Sequence, residues 1–385
     1  SRNLADLWNL DVNQRVARGR AIKDLKLVST YSEDGRSYHL FSCKNNSEIR
    51  EGDIVLLSNG DILNDQLTSG KVSRIAEDFI EIETHGLQSS VSVVDIYSID
   101  VNFRRQQRGI YNIIFKNNNY KQYLIDNVKP KIVTIDGTFI KNNKAQNEAI
   151  AKILGTEGYC LIQGPAGTGK THVIARSAII LANNKRRVLI TAFTNRAVDN
   201  VCKYLLANQF FSFIRLGETH AIDRELRDYT IESYKKRLNE DSTLTIIKQI
   251  PIIVATTSTI SNPLFETLDI DIIIVDEASQ MTEPNVLSAL IGGSALILVG
   301  DHKQLPPVVQ NPQAYKKGLS ISLFERLAKQ FPSDIHLLDL QFRMNEKLME
   351  FSNTQFYEGK LKSYDNLVKN QNLLDLANFT SDYYN

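Results

Sequence analysis

Leu161–Thr171 reads LIQGPAGTGKT, an apolar run that breaks into a glycine-rich turn closed by a lysine and a threonine. Tyr159–Ile162 has the unbroken apolar character of a strand buried on both faces, and Val173–Ala182 (VIARSAIILA) follows with helical patterning. Strand, small-residue turn and helix in that order make a phosphate cradle. Gly164, Pro165, Ala166, Gly167, Thr168 and Gly169 let the backbone fold tightly, so that its N–H groups converge on the β- and γ-phosphates of a nucleotide. Lys170 adds a point charge there, and the Thr171 hydroxyl suits Mg²⁺. A nucleoside triphosphate is the expected ligand.

Outward from this stretch, other apolar runs end in polar groups. In DIIIVDEASQ (Asp271–Gln280) four apolar residues carry Asp276 to a strand end, where it can hold Mg²⁺ through water while Glu277 polarises the attacking water. A pair of solvated acids capping the next helix is the plainer reading. GDHKQLPP (Gly300–Pro307) brings Gln304, a neutral group able to sense a γ-phosphate and touch water, into a turn stiffened by Pro306 and Pro307. His302 reads as a hydrogen-bonding surface group. LQFRM (Leu340–Met344) offers Arg343 as a counter-charge to a transferring phosphoryl group, or as a bridge between helix ends. AFTNRAVDNV (Ala192–Val201) and ATTSTI (Ala255–Ile260) put hydroxyls and amides at helix starts, where they suit nucleic-acid phosphates and serve equally as N-caps.

The 385 residues are enough for two or three cores, and the composition, 42% apolar and 23% charged, is that of a globular chain. No apolar run approaches bilayer length, so no membrane role is expected. Cys43, Cys160 and Cys202 are far apart, which excludes a disulfide framework and a Cys₄ metal site within the chain and points to a reduced, intracellular setting. A net charge of +1 leaves nucleic-acid binding to local basic grooves. After a polar, helical start (Asn3–Lys23), short alternating runs separated by Gly, Asn, Asp and Ser predict a small β-barrel, its first hairpin turning at Glu33-Asp34-Gly35. Asp100–Lys129 is helical and basic, with Arg104, Arg105 and Arg108 clustered on what reads as a solvated face, the alternatives being contact with nucleic acid or a link from the barrel to the rest of the chain. From Tyr159 onward strands alternate with helices, as in a parallel sheet covered on both faces.

Taken together and in this order, QGPAGTGKT, TNRAVDN, VATT, IVDEASQ, VGDHKQLPP and LQFRMN resemble the helicases of superfamily 1. The branch is the one that holds the up-frameshift and immunoglobulin-mu-binding helicases, senataxin and the DNA-replication helicase/nuclease family. The resemblance runs from about Gln146 to Lys362. FIRLGETH, NPLF and SNTQFYEGKLK look most like the helicase/nuclease family. It implies an α/β fold, a RecA-like parallel-sheet motor with a small β-barrel insertion and helical stalk. The parts are a stalk and barrel (1–130), an ATPase lobe (131–335) and the opening of a second RecA-like lobe (336–385). By the same likeness ATP and Mg²⁺ are the cofactors. Gln146 reads the adenine edge and Phe342 stacks on the base, while Lys170 and Thr171 bind phosphate and metal. Asp276 and Glu277 serve metal and water, Gln304 couples γ-phosphate to nucleic acid, and Arg343 acts as a finger. Thr194, Asn195 and Thr256 line a single-strand track. The implied activity is ATP-driven, 5′→3′ movement on single-stranded DNA. The alternatives are an RNA helicase of the up-frameshift type, or a nucleotide-gated nucleic-acid-binding fragment with little turnover. The family's G-D-rich and T-R-A-type motifs are not found before Asn385, so the chain is expected to stop early in the second lobe. Without a Cys₄ set it is expected to carry no nuclease.

Overall fold

The computed structural model describes residues 7–369 apart from 34–35, 63, 85, 87–90, 98–100, 117–119, 134, 142, 310 and 366–367. Asp34 and Gly35, the expected hairpin turn, therefore lie outside the described residues. The chain divides into two compact units, Ser1–Arg104 and Arg105–Asn385.

The first unit is one antiparallel sheet of seven strands: β1 (Ala21–Lys23), β2 (Lys26–Glu33), β3 (Arg36–Ser42), β4 (Ile54–Ser58), β5 (Thr68–Ile75), β6 (Phe79–Thr84) and β7 (Val93–Ile96), in the order β1-β7-β4-β5-β6-β3-β2. The two edge strands, β1 and β2, are separated by only Asp24 and Leu25, so the sheet has to curl until its edges approach. Ile22, Phe41, Val55, Leu57, Ile80, Ile82 and Val94 fill the interior of that curl. The expected opening helix is shorter than its pattern suggested. Among the described residues it is helical at 7–9 and again over Val12–Ala17, the second piece capped by Asp11 and Gln14, and Gly19 at φ +70° turns the chain out of it. Ala21 and Ile22 then bury themselves by pairing with β7, because long-range ladder bonds outweigh a weak local helical preference.

In the second unit β9 (Thr156–Gln163), β10 (Val188–Ala192), β11 (Phe213–Leu216), β12 (Ile252–Thr256), β13 (Ile272–Val275), β14 (Ala295–Gly300) and β15 (Ile335–Leu337) form a parallel sheet in the order β11-β12-β10-β13-β14-β9-β15. The short β8 (Lys131–Ile132) joins antiparallel to the start of β9. Every residue of β10, β12, β13 and β14 is buried. Successive side chains go to opposite faces. Leu296 and Leu298 pack with Phe324 and Leu327, while Ile297 and Val299 pack with Val173, Ile174 and Leu205. Each such side chain contributes about 1.5–3 kcal/mol by leaving water. The run His336–Leu340, which reads in the sequence as one strand, splits. Ile335–Leu337 joins the sheet, whereas β16 (Leu340–Gln341) pairs instead with β17 (Lys362–Ser363). Among the described residues no helix is long and apolar enough to cross a membrane.

Two of the three clustered arginines are engaged with the rest of the second unit, while Arg104 is exposed, as a solvated face requires. Arg105 Nη1 donates to the Ser258 carbonyl, and Arg108 forms an ion pair with Glu266. These bonds hold residues 105–115 of the helix Val101–Phe115 against the parallel-sheet unit. Gly109 lies where that helix comes closest, since a Cβ there would sit 2.6 Å from the Ser288 backbone. In an exposed helix Gly→Ala gains about 0.5–1 kcal/mol. Here the clash with backbone, worth about 1–3 kcal/mol, outweighs it. Gly109→Ala should therefore lower the thermal midpoint of the second unit; an unchanged or raised midpoint would show the helix free to shift.

Candidate functional site

Parallel strands deliver their outgoing loops to one edge. At the carboxyl edge of this sheet β9, β14 and β13 are neighbours, so the phosphate loop, the Gly300–Pro307 turn and Asp276–Glu277 emerge side by side. β10 and β12 continue the same edge, with Ala192 opposite Thr256. A cleft of about 700 Å³ opens over the phosphate loop. Gln146, Pro165–His172, Asn200, Tyr204, Glu277, Gln304, Phe342 and Arg343 line it, all from the second unit.

The loop's conformation depends on its glycines. Gly167 and Gly169 adopt φ +78° and +81°, and a Cβ on Gly167 would strike Arg343 Cβ at 2.7 Å. Gly169 caps the helix Lys170–Asn183, whose N-terminal N–H groups face the cleft with the positive end of the helix dipole. Thr168 is fully buried and its hydroxyl donates to the Pro165 carbonyl at 2.8 Å, so it braces the loop. Lys170 Nζ donates to the Gly164 carbonyl at 2.8 Å and lies 3.7 Å from Glu277 Oε1. Gln146 is 2% exposed and donates from Nε2 to the Thr168 carbonyl at 2.9 Å, which ties its helix to the loop.

Asp276 is 4% exposed, and its carboxyl is pushed up to about 7, first by burial and then by the charge of Glu277 beside it. Glu277 has a left-handed backbone, φ +52°, a strained choice for a non-glycine residue. The Glu277 N–H donates to Asp276 Oδ1 at 2.9 Å, and Glu277 Oε2 accepts from Gln280. A buried, crowded carboxyl is what a divalent cation relieves. The Thr171 hydroxyl and the Asp276 carboxylate are the hard oxygen donors that suit Mg²⁺, which would screen phosphate charge there.

Asp301, 1% exposed, organises the third loop. Its Oδ1 accepts from Gln163 Nε2 at 3.0 Å, and its Oδ2 from Gln304 Nε2 at 2.7 Å and the Tyr357 hydroxyl at 2.6 Å. His302 is lowered by burial and stacks against Phe324, a packing position without contact to the cleft. Arg343 leaves a turn built by buried Gln341, whose Oε1 accepts the N–H groups of Arg343 and Met344. Phe342 N donates to the Gly167 carbonyl at 2.8 Å, so this turn rests on the phosphate loop, and the Phe342 ring lies 4.7 Å from Tyr364.

Further along the edge, Thr194 and Thr256 accept the N–H groups of Ala197 and Thr259 as N-caps. Asn195 accepts from Arg215, which is wholly buried and also donates to Asp199 at 2.7 Å. The expected track residues thus stand at adjacent strand ends with these side-chain oxygens engaged in shaping them. Several cleft-edge groups were not legible in the sequence: His172, Asn200, Tyr204, Asp301, Tyr357 and the 59%-exposed Phe193. Tyr204 stacks with His172, ring centroids 6.1 Å apart, yet an aromatic on an amphipathic helix has the same pattern whichever way it faces.

Two family models, each described as an AAA domain, match residues 141–245 and 222–312 (the first) and 319–383 (the second). The DNA replication ATP-dependent helicase/nuclease of Bos taurus is 30% identical over 98% of this chain. That of Saccharomyces cerevisiae is 38% identical over 63% of it. The chain belongs to the superfamily 1 helicases. It is related within them to the DNA replication helicase/nucleases, of which it spans 38% of the cattle protein and 16% of the yeast one. An uncharacterized ATP-dependent helicase of Methanocaldococcus jannaschii is 29% identical over 93% of the chain, which covers 68% of that protein.

One consequence of the acid pair is measurable without ligand. The folded-state pKa of Asp276, about 7, lies above its ordinary 3.8, so the folded protein holds an extra proton between those values. Its contribution to stability is greatest below that window and is lost as pH rises through it. In cation-free buffer at about pH 8, Asp276→Asn should raise the melting temperature, by about 2–4 °C for each kcal/mol relieved. At about pH 5, where the native carboxyl already carries its proton, the difference should shrink. A gain of equal size at both pH values would contradict the burial account.

Proposed function

We propose that the second unit is the ATP-hydrolysing motor of a DNA helicase that moves 5′→3′ on single strands. In this reading 131–335 is the first RecA-like lobe and 336–385 opens the second. The observation that carries it is the meeting of the phosphate loop, Asp276–Glu277 and Gln304 on adjacent strand ends, with Arg343 seated against Gly167. Phosphoryl transfer asks mainly for placed charge and a placed water. Lys170 and the loop N–H groups bind the β- and γ-phosphates, Thr171 and Asp276 hold Mg²⁺, Glu277 orients the water, and Arg343 neutralises charge on the transferring group. Gln146 reads adenine from the cleft wall, and Phe342 and Tyr204 offer ring faces to the base. Thr194, Asn195 and Thr256 line the track for a DNA backbone. Phe193, exposed beside them, stacks on a base. An intracellular role in DNA replication or repair follows from the same reading.

Steady-state ATP hydrolysis by the full-length protein, with and without single-stranded DNA or RNA of matched sequence, tests the proposal. DNA should stimulate turnover more than RNA, and a strong RNA preference would move the protein to the up-frameshift type. Lys170→Ala should lower turnover about a hundredfold to a thousandfold while DNA binding without nucleotide persists. Glu277→Gln should keep ATP binding and trap the bound state; normal turnover there removes Glu277 as the group that orients water. Phe193→Ala should weaken single-strand binding by about 1–3 kcal/mol, read by fluorescence anisotropy, and an unchanged affinity would remove the stacking role.

A further inference from the structure

The helix Glu346–Phe356 is anchored at both ends to the walls of the cleft. Three residues before its first turn, Arg343 lies so close to the phosphate loop that only glycine fits at position 167. One residue after its last turn, the Tyr357 hydroxyl donates to Asp301 Oδ2 at 2.6 Å. Tyr357 is 8% exposed and packs with Met349 and Leu361. Its loop is braced by Asn353, which accepts from Leu361 N at 2.9 Å and donates to the Leu361 carbonyl at 3.0 Å. The helix between the two anchors has 11 residues and is a rigid rod about 16 Å long. The anchors land on loops leaving β9 and β14, which are neighbouring strands.

Asp301 passes the contact on. The oxygen that accepts the Tyr357 hydroxyl's hydrogen bond also accepts one from Gln304 Nε2 at 2.7 Å. Asp301 Oδ2 accepts from Gln304 Nε2, and that bond decides which end of the amide faces it. The NH₂ group points to Asp301, and the carbonyl oxygen is turned the other way. An acceptor of that kind can accept a hydrogen bond from a water and so aim the water's lone pair at a phosphorus atom. Burial and the hydrogen bond to Asp301 both push the Tyr357 phenol above its ordinary range, so it stays a donor at all working pH values.

We propose that Tyr357 is a positioning residue for ATP hydrolysis. Through Asp301 it fixes the amide of Gln304 and makes Gln304 move as one body with the helix that follows the Arg343 turn. This rests on the motor reading above and adds to it a specific route between the two arms of the cleft.

The test is Tyr357→Phe in the full-length protein, which removes one oxygen and keeps the ring packed on Met349 and Leu361. With saturating single-stranded DNA, kcat should fall about tenfold while KM for ATP stays within about twofold, the split expected when only a transition-state contact is lost. Gln304→Ala should lower kcat further, and adding Tyr357→Phe to it should change little, because both act through one amide. A role confined to packing predicts otherwise: a lower melting temperature with kcat per folded molecule unchanged, or effects of the two substitutions that multiply. Either result overturns the proposal. Should Tyr357→Phe prove unstable at assay temperature, Asp301→Asn has to show the same split and the same lack of additivity with Gln304→Ala, and failure there is equally decisive. Lys170→Ala is the control for the motor itself. If its turnover equals that of the native protein, the motor reading fails and the Tyr357 route falls with it. If only Tyr357→Phe behaves as the native protein does, the route alone is wrong.

Discussion

Because β14 hydrogen-bonds to β9 on one side and to β13 on the other, all in parallel, three outgoing loops leave the sheet about 4.8 Å apart from strand to strand. That spacing is comparable to the width of a phosphoryl group with its ligands. It brings a backbone cradle, an acid pair and an amide to bear on a single centre without any of them being long or flexible. The cost is that polar and charged groups must sit at the end of a dry core, and the structure meets it with mutual satisfaction. Asp301 takes donors from Gln163, Gln304 and Tyr357, and Arg215 spends its guanidinium on Asp199 and Asn195.

Where satisfaction is incomplete, chemistry is expected. Asp276 carries the largest unrelieved electrostatic burden of the cleft, and Glu277 next to it holds a left-handed backbone. A cation and phosphates in the cleft would relieve the first and make use of the second, which is the usual sense of strain kept at a working site. Lys170 expresses the same logic. It donates to the Gly164 carbonyl and lies beside Glu277, so its charge is already held over the loop.

Much of the motor was legible because its chemistry is local. LIQGPAGTGKT contains strand, turn and helix start within a dozen residues, and Asp276 and Gln304 each follow an apolar run that could only be a buried strand. The small sheet was legible as short strands between turn residues, but its first strand was not. Ala21–Lys23 is too short to show alternation, and its reason for being a strand, β7, lies some seventy residues away. Arg105 and Arg108 misled for a similar reason. A helix face rich in charge looks solvated unless one knows that Glu266 and the Ser258 carbonyl wait opposite.

By itself the sequence determined which groups gather at the sheet's edge: a glycine-rich loop, two acids, an amide and an arginine, each at the end of its own element. Their order along the chain made the superfamily recognisable. Only the tertiary structure decided who holds whom. Strand order put β14 between β9 and β13, Gln341 shaped the turn that delivers Arg343, and a buried carboxylate joined Tyr357 to Gln304. Those pairings depend on distances between segments far apart in sequence. Local propensity carries no information about such distances, whereas burial and hydrogen-bond satisfaction fix them once the sheet has closed.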